Sequence, residues 1–182
     1  MTNYSDEELA QKTTKDQNAF NPLVGKYSEK IRAYIARVIG NWDEAEDLTQ
    51  DVFMKAYENI NSFNPKLKFS SWLYRIAHNE SVNFIKKHYR FKKVEFKEEI
   101  KNKSVIEKSA LEKILDRDDA RMINQALYQL KTSDRDILEL YYFEGRKYLE
   151  IADILEIPVN SVGPKIKRAK DKLKKIIKEK NE

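Results

Sequence analysis

Residue types and spacings point to chemistry at several places along this 182-residue chain. The clearest is cationic. Asn160, Ser161, Lys165, Lys167, Arg168 and Lys172 fall on the outer face of one expected helix. Arginine and lysine on such a helix bond guanine edges and neutralise phosphates, which suits the major groove of duplex DNA. Arg168 is the best placed to read a base. Lys165 and Lys172 suit phosphates, which position a helix without reading sequence. A second group mixes aromatics, amides and cations: Phe63, Asn64, Lys66, Lys68, Phe69, Ser70, Trp72, Asn79, Asn83, Lys86 and Lys87. Aromatic faces stack unpaired bases at roughly 1–3 kcal/mol each, and amides bond the edges of a flipped base. Trp72 at a helix start suits packing at least as well. Asn79 is a poor mid-helix residue with no packing benefit.

Catalytic chemistry finds little support. His78 and His88 lack a second metal ligand at a diagnostic spacing, and neither an HExxH pattern nor a glycine-rich phosphate loop occurs. The acidic residues sit singly on helical faces or beside Lys and Arg. The expectation is a binding protein with no catalytic residue, no metal and no cofactor.

The elements that must hold these residues read as helices. Ser5 and Glu8 fit a capping box for a helix over Ser5–Lys12. A second helix is expected from about Asp16 to Ile39, with Pro22 near its first turn and Gly40 after its end. Asn41 would cap a third, whose buried stripe is Leu48, Val52, Phe53, Ala56, Tyr57 and Ile60. Asn61–Lys68 is a loop, and Ser70 or Ser71 would cap a fourth helix reaching about Lys87, with Leu73, Ile76, Ala77 and Phe84 inward. Arg90–Ser109 is crowded with charge and reads as a linker. Periodicity returns from about Leu111 to Leu130. Thr132 or Ser133 would cap a helix carrying Ile137, Leu138 and Tyr141 and closing near Gly145. Tyr148–Leu155, with Ile151, Ala152 and Leu155 inward, then forms a helix-turn-helix with a basic helix beginning close to Asn160. Val162, Ile166, Ala169, Leu173 and Ile177 make that helix's apolar face.

The fold class expected is therefore all-α: two small helical bundles joined by a charged linker, the second with a helix-turn-helix. The domain bounds expected are 1–90, a linker over 91–114, and 115–182. Charged residues make up 36% and the formal charge is +5, much of it concentrated between Lys165 and Lys180. Coupled to a helix-turn-helix, that favours nucleic acid. Cysteine is absent, so disulfides are excluded. The N-terminus carries no signal-peptide pattern and no run approaches the ~20 apolar residues of a membrane span. A cytoplasmic protein without membrane insertion is expected. A helix-turn-helix alone leaves other identities open: a DNA-binding regulator whose first bundle senses or dimerises, or an adaptor whose basic tail binds RNA or anionic membrane.

The first bundle narrows the choice. Asp47-Leu48-Thr49-Gln50-Asp51-Val52-Phe53, then Lys55-Ala56-Tyr57, then Phe69-Ser70-Ser71-Trp72-Leu73-Tyr74-Arg75-Ile76-Ala77-His78-Asn79 closely resemble bacterial sigma factors of the extracytoplasmic-function type, group 4 of the sigma-70 family. Residues 16–90 resemble region 2 and about 115–178 resemble region 4. The resemblance implies a protein that binds core RNA polymerase, directs it to a promoter and helps open the DNA. It implies that Asp47, Gln50 and Asp51, with Leu48 nearby, meet a coiled coil of the polymerase, while Val52 and Phe53 are core and Thr49 suits either place. It puts the minus-10 pocket around Phe63, the following loop and Asn79. It puts minus-35 reading on Asn160, Ser161, Gly163, Pro164, Lys165, Lys167, Arg168 and Lys172. Promoter DNA would be met both as duplex and as single strand. The family analogy also implies an anti-sigma partner, which no residue of the chain identifies.

The chain departs from the family pattern at several points. Asn83 stands where an Asp is usual. Glu156 stands where a helix-turn-helix usually has Gly, at an expected cost on the order of 1 kcal/mol if the backbone there is left-handed. Gly163-Pro164 replaces a polar and basic pair, so the reading helix is expected to read fewer bases, and Pro164 is tolerable only near its start.

Overall fold

Helix ends in this chain are set by a few named contacts, and these fix where each bundle begins and stops. The computed structural model describes residues 4–91 and 117–181. The described residues form two compact units, one built on residues up to 91 and the other on most of residues 117–181. The linker expected over 91–114 lies outside the described residues apart from Phe91, as does the start of the helix expected from Leu111.

In the N-terminal unit, α1 spans Asp6–Thr13 and carries the expected capping box: the Glu8 N–H donates to Ser5 Oγ at 3.2 Å, and the Ser5 N–H to Glu8 Oε2 at 2.7 Å. The helix expected from Asp16 starts instead at Asn21. Asp16 caps a 3-10 turn, Gln17–Phe20, its carboxylate accepting the Asn18 N–H at 3.0 Å. Pro22 has no N–H for the Asn18 carbonyl and its ring would crowd that oxygen, so α geometry does not run back through it. α2 then spans Asn21–Ile39 and ends on Gly40, whose φ of 77° and N–H to the Ala36 carbonyl make a left-handed cap.

Asn41 caps α3, Trp42–Glu58, accepting from the Asp43 and Glu44 N–H groups at 3.0 and 3.3 Å. Ile60–Ser62 forms a 3-10 turn at the head of the expected loop. α4, Phe69–Phe91, begins before either serine expected to cap it. Its first amide, that of Phe69, donates at 3.0 Å to Glu7 Oε1 of α1. A carboxylate from another helix thus does what Ser70 or Ser71 would have done.

α2, α3 and α4 pack on one another. Leu23, Ile31, Tyr34 and Ile35 of α2, Val52 and Ala56 of α3, and Phe69, Leu73, Tyr74 and Ala77 of α4 are wholly buried. The Tyr34 and Tyr74 rings meet at 5.2 Å, and each fully buried large side chain stabilises the bundle by about 1.5–3 kcal/mol. Ile76 and Phe84, expected inward, are only half-buried. Tyr74, with Phe69, takes the central place instead. Buried hydroxyls bond back into their own helices, Thr49 to the Ala45 carbonyl at 2.6 Å and Ser81 to that of Ala77 at 2.8 Å.

The C-terminal unit begins, among the described residues, with α5, Arg117–Gln129. α6 spans Thr132–Leu138; its cap position is Lys131, so Thr132 and Ser133 lie inside the helix rather than capping it. The chain continues as a wider π turn over Glu139–Phe143, closed by the Glu144 N–H on the Glu139 carbonyl at 3.0 Å. Gly145, at φ 61°, ends it. α7 is Tyr148–Leu155, as expected, though Ile151 and Ile154 are its buried pair, with Ala152 and Leu155 half-buried. α8, Val159–Asn181, packs on α5 and α6 through Val162, Ile166 and Ala169.

Glu156, between α7 and α8, is left-handed at φ 52°, ψ 46°, with its N–H on the Ala152 carbonyl. A Cβ in that conformation is strained by roughly 1–2 kcal/mol. Glu156→Gly is therefore expected to stabilise the C-terminal unit by about 1 kcal/mol. Thermal unfolding followed by circular dichroism should show a midpoint raised by a few degrees; an unchanged or lowered midpoint would contradict the strain.

Candidate functional site

The polar residues of α3 separate cleanly from its core stripe. Asp47, Gln50 and Asp51 are exposed, at helical steps that put them on one face. Leu48 and Thr49 are buried at 8% and 7% exposure, beside Val52 and Phe53. Met54, one turn beyond Gln50 and Asp51, continues the exposed face with 59% of its surface open. It escaped sequence reasoning because a lone methionine reads as core. Its signal was positional: it falls outside the stripe Leu48, Val52, Phe53 and Ala56.

The loop between α3 and α4 is built on an aromatic cluster. Phe63, Phe69 and Trp72 are 8%, 0% and 9% exposed. Phe63 and Phe69 meet edge to face at 5.6 Å, Phe63 and Trp72 at 5.4 Å, and Phe69 and Trp72 at 5.7 Å. Such pairs add about 0.5–1.5 kcal/mol each beyond burial. These rings hold one another rather than standing open as stacking platforms. Between them Asn64, Lys66 and Lys68 are exposed and Ser70 is half-buried. The Asn64 side-chain oxygen accepts the Lys66 N–H at 3.0 Å, which closes the turn. Leu67, 49% exposed at the loop's tip, is a further residue the sequence did not single out.

An open hollow lies between α3 and α4, lined by Lys55, Asn59, Ser62, Trp72, Ile76, Asn79 and Glu80. It joins Trp72 and Asn79 from the expected set; Phe63, Asn64, Lys66 and Lys68 do not line it. The Asn79 side chain is exposed. Lys55 and Glu80 form an ion pair at 2.6 Å, with the Glu80 side chain 15% exposed. Asn83 lies one turn beyond Asn79, and Lys86 and Lys87 one turn beyond that, all exposed. α4 thus carries an amide-then-cation track leading away from the hollow.

In the C-terminal unit, Asn160, Pro164, Lys165, Lys167, Arg168 and Lys172 are exposed, while Ser161 and Gly163 are half-buried. Ser161 sits in the helix's first turn, its hydroxyl donating to the Pro158 carbonyl at 2.7 Å. Lys172 is paired with Asp134 of α6 at 2.5 Å. Lys165 and Arg168 lie on the same face of α8 one turn apart, and Lys167 points away from Lys165. Pro164 lies inside α8, where it cannot donate to the carbonyl of Asn160.

Gly163 has a local reason. A Cβ there would come within 3.3 Å of the Tyr148 ring. Tyr148, 43% exposed and tilted against Tyr141 at 5.7 Å, would have to shift by a few tenths of an ångström for a side chain at 163. Sequence reasoning missed Tyr148, because nothing in the pattern pairs it with Gly163. Among the described residues no His, Cys, Asp and Glu cluster could hold a metal ion, and no helix is long and apolar enough to cross a membrane.

Comparison with known proteins accounts for this arrangement. The sigma-70 region 2 family matches residues 23–91, and the sigma-70 region 4 family matches residues 120–173. The ECF RNA polymerase sigma factor SigW of Bacillus subtilis (strain 168) is 35% identical over 167 residues, 88% of this chain and 89% of that one. The RNA polymerase sigma-H factor of Pseudomonas aeruginosa is 32% identical over 186 residues, 97% of this chain and 96% of that one. Among solved structures, CnrH in complex with the cytosolic domain of CnrY matches with a TM-score of 0.69 and 27% identity, covering 95% of this chain and 97% of that one. The sigma factor RpoE in complex with the anti-sigma factor NepR, from Bartonella quintana, matches with a TM-score of 0.69 and 26% identity, covering 87% and 96%. With region 2 framing the α3–α4 hollow and region 4 carrying the basic helix, this chain belongs to the extracytoplasmic-function sigma factors of the sigma-70 family, the factors that bring core RNA polymerase to promoters.

Proposed function

We propose a division of that work among the surfaces described above. The acidic face of α3, Asp47, Gln50 and Asp51 with Met54, docks core polymerase. Leu48 and Thr49 shape it from beneath. The hollow between α3 and α4 takes a flipped base of the minus-10 element, and Asn79 bonds its edge. Phe63, Phe69 and Trp72 hold the loop in place, while Asn64, Lys66, Lys68, Ser70, Asn83, Lys86 and Lys87 guide the strand. α8 meets the minus-35 duplex, with Arg168 reading a base, Lys165 and Lys167 on phosphates, and Asn160 and Ser161 at the front turn. Lys172 contributes less than an unpaired cation would, since phosphate must compete with Asp134. Gly163 and Pro164 add no cation to the reading face, which narrows the set of bases read.

The observation that carries this reading is the hollow beside an exposed Asn79, with a polar and cationic track running from it along α4. An amide on an exposed mid-helix position contributes nothing to folding, whereas a base edge needs such a group. The chain acts in the cytoplasm as a binding subunit without catalysis of its own. The Bartonella quintana relative is bound to an anti-sigma factor, and a partner of that kind is proposed for this chain too. The direct experiment is transcription with core polymerase on a genomic promoter library. Discrete start sites sharing upstream elements are expected; none would overturn the reading.

On a promoter recovered that way, Arg168→Ala should lower minus-35-dependent transcription on the order of tenfold, the worth of one bidentate base contact of roughly 1–3 kcal/mol. Core binding, followed by size-exclusion, should not change. Full activity of the variant would remove Arg168 from the interface. Asn79→Ala should slow strand opening roughly fivefold, matching a lost hydrogen bond of about 1 kcal/mol, while initial duplex binding is spared. Permanganate reactivity of minus-10 thymines measures this, and an undiminished signal would move the pocket elsewhere.

A further inference from the structure

The first helix braces both ends of the α3–α4 loop. α1 packs against α2, against the start of α4 and against the Ile60–Ser62 turn. Ala10 and Thr13 give it a buried side, at 1% and 4% exposure. Its acidic end is fastened to α2: Asp6 accepts from the Tyr27 hydroxyl at 2.5 Å and from Lys26 Nζ at 2.7 Å. Glu7, the next residue, is half-buried and turns to α4, where its Oε1 accepts the Phe69 N–H at 3.0 Å. That amide is among those that no partner within α4 can reach. A carboxylate also suits the positive end of a helix.

The placement of this bond is what gives it meaning. Phe69 is the last residue of the loop and the first of α4, and its ring joins Phe63, Trp72 and Tyr27 in one cluster. Asn79 and Trp72, on the hollow, belong to the same helix. A bond that fixes where α4 begins therefore fixes how the loop tip, with Asn64, Lys66 and Lys68, stands relative to the hollow.

We infer that Glu7 is a positioning residue for promoter opening. It touches no base. It sets the register between the loop and the hollow by holding the first amide of α4, and α1 is the splint that carries it. The inference rests on the minus-10 reading above.

Glu7→Ala, Glu7→Gln and Asn79→Ala are compared with the unaltered full-length chain in reconstituted holoenzyme, on a promoter recovered from the library. Glu7→Ala should slow open-complex formation about fivefold with core binding and duplex minus-35 binding unchanged. Glu7→Gln keeps the accepting oxygen and should return the rate to within about twofold. Hydrogen exchange at the Phe69 amide should quicken in Glu7→Ala and recover in Glu7→Gln. Opening at the normal rate in Glu7→Ala, with Asn79→Ala impaired, overturns the positioning role and leaves the pocket standing. Equal impairment in the alanine and glutamine variants overturns the hydrogen-bond basis. Normal opening in all variants overturns the pocket and the positioning role together.

Discussion

The aromatic cluster of Phe63, Phe69 and Trp72 is the constraint on which the N-terminal unit's surface depends. Ring packing holds Phe69 at the end of the loop, and the Glu7 carboxylate on its amide holds the start of α4 there. Once that start is set, the helical period decides the rest. Leu73, Tyr74 and Ala77 must face α2 and α3, and Asn79, Asn83, Lys86 and Lys87 must face outward. The same cluster closes one wall of the hollow through Trp72. Hydrophobic burial thus does indirect work here, aiming polar groups that have no reason of their own to point anywhere.

The C-terminal unit solves a different problem: two helices must cross closely while leaving a basic face free. Val162, Ile166 and Ala169 attach α8 to the unit through a narrow stripe. The turn before it depends on a left-handed residue, and the chain accepts Glu156 there despite the strain. At the front of α8 the Tyr148 ring lies close beside Gly163, within 3.3 Å of where a Cβ would stand. Neither Gly163 nor Pro164 brings a cation to this part of α8. The exposed positive charge of α8 therefore begins only at Lys165.

How far this was legible in the sequence varies with the kind of force involved. Periodicity and local capping read well: the capping box at Ser5, the Asn41 cap, the Gly40 stop and the bounds of Tyr148–Leu155 all depend on residues within four positions of each other. Contacts distant in sequence did not. The bond from Phe69 to Glu7 spans 62 residues, so a serine cap for α4 was the natural expectation. Lys172 read as a free cation because its partner, Asp134, lies 38 residues away. Pro22 was visible, but its effect on the residues before it was not, and one long helix was expected where a 3-10 turn precedes α2. Arg135, Asp136 and Glu139 are buried although their types suggest solvent. For the candidate site, the helical placement of Asn79 and Arg168 was legible from periodicity, whereas the lining contributed by Lys55, Asn59 and Glu80 was not, because it requires knowing how α3 lies on α4.

The central claim is that the hollow beside Asn79 receives a base of the opened strand. A photoreactive amino acid installed at position 79, activated in the assembled open complex, tests it directly. Crosslinks should fall on the non-template strand within the minus-10 element and should vanish when the DNA remains duplex. Crosslinks confined to double-stranded DNA, or to polymerase with none to DNA, would contradict the claim.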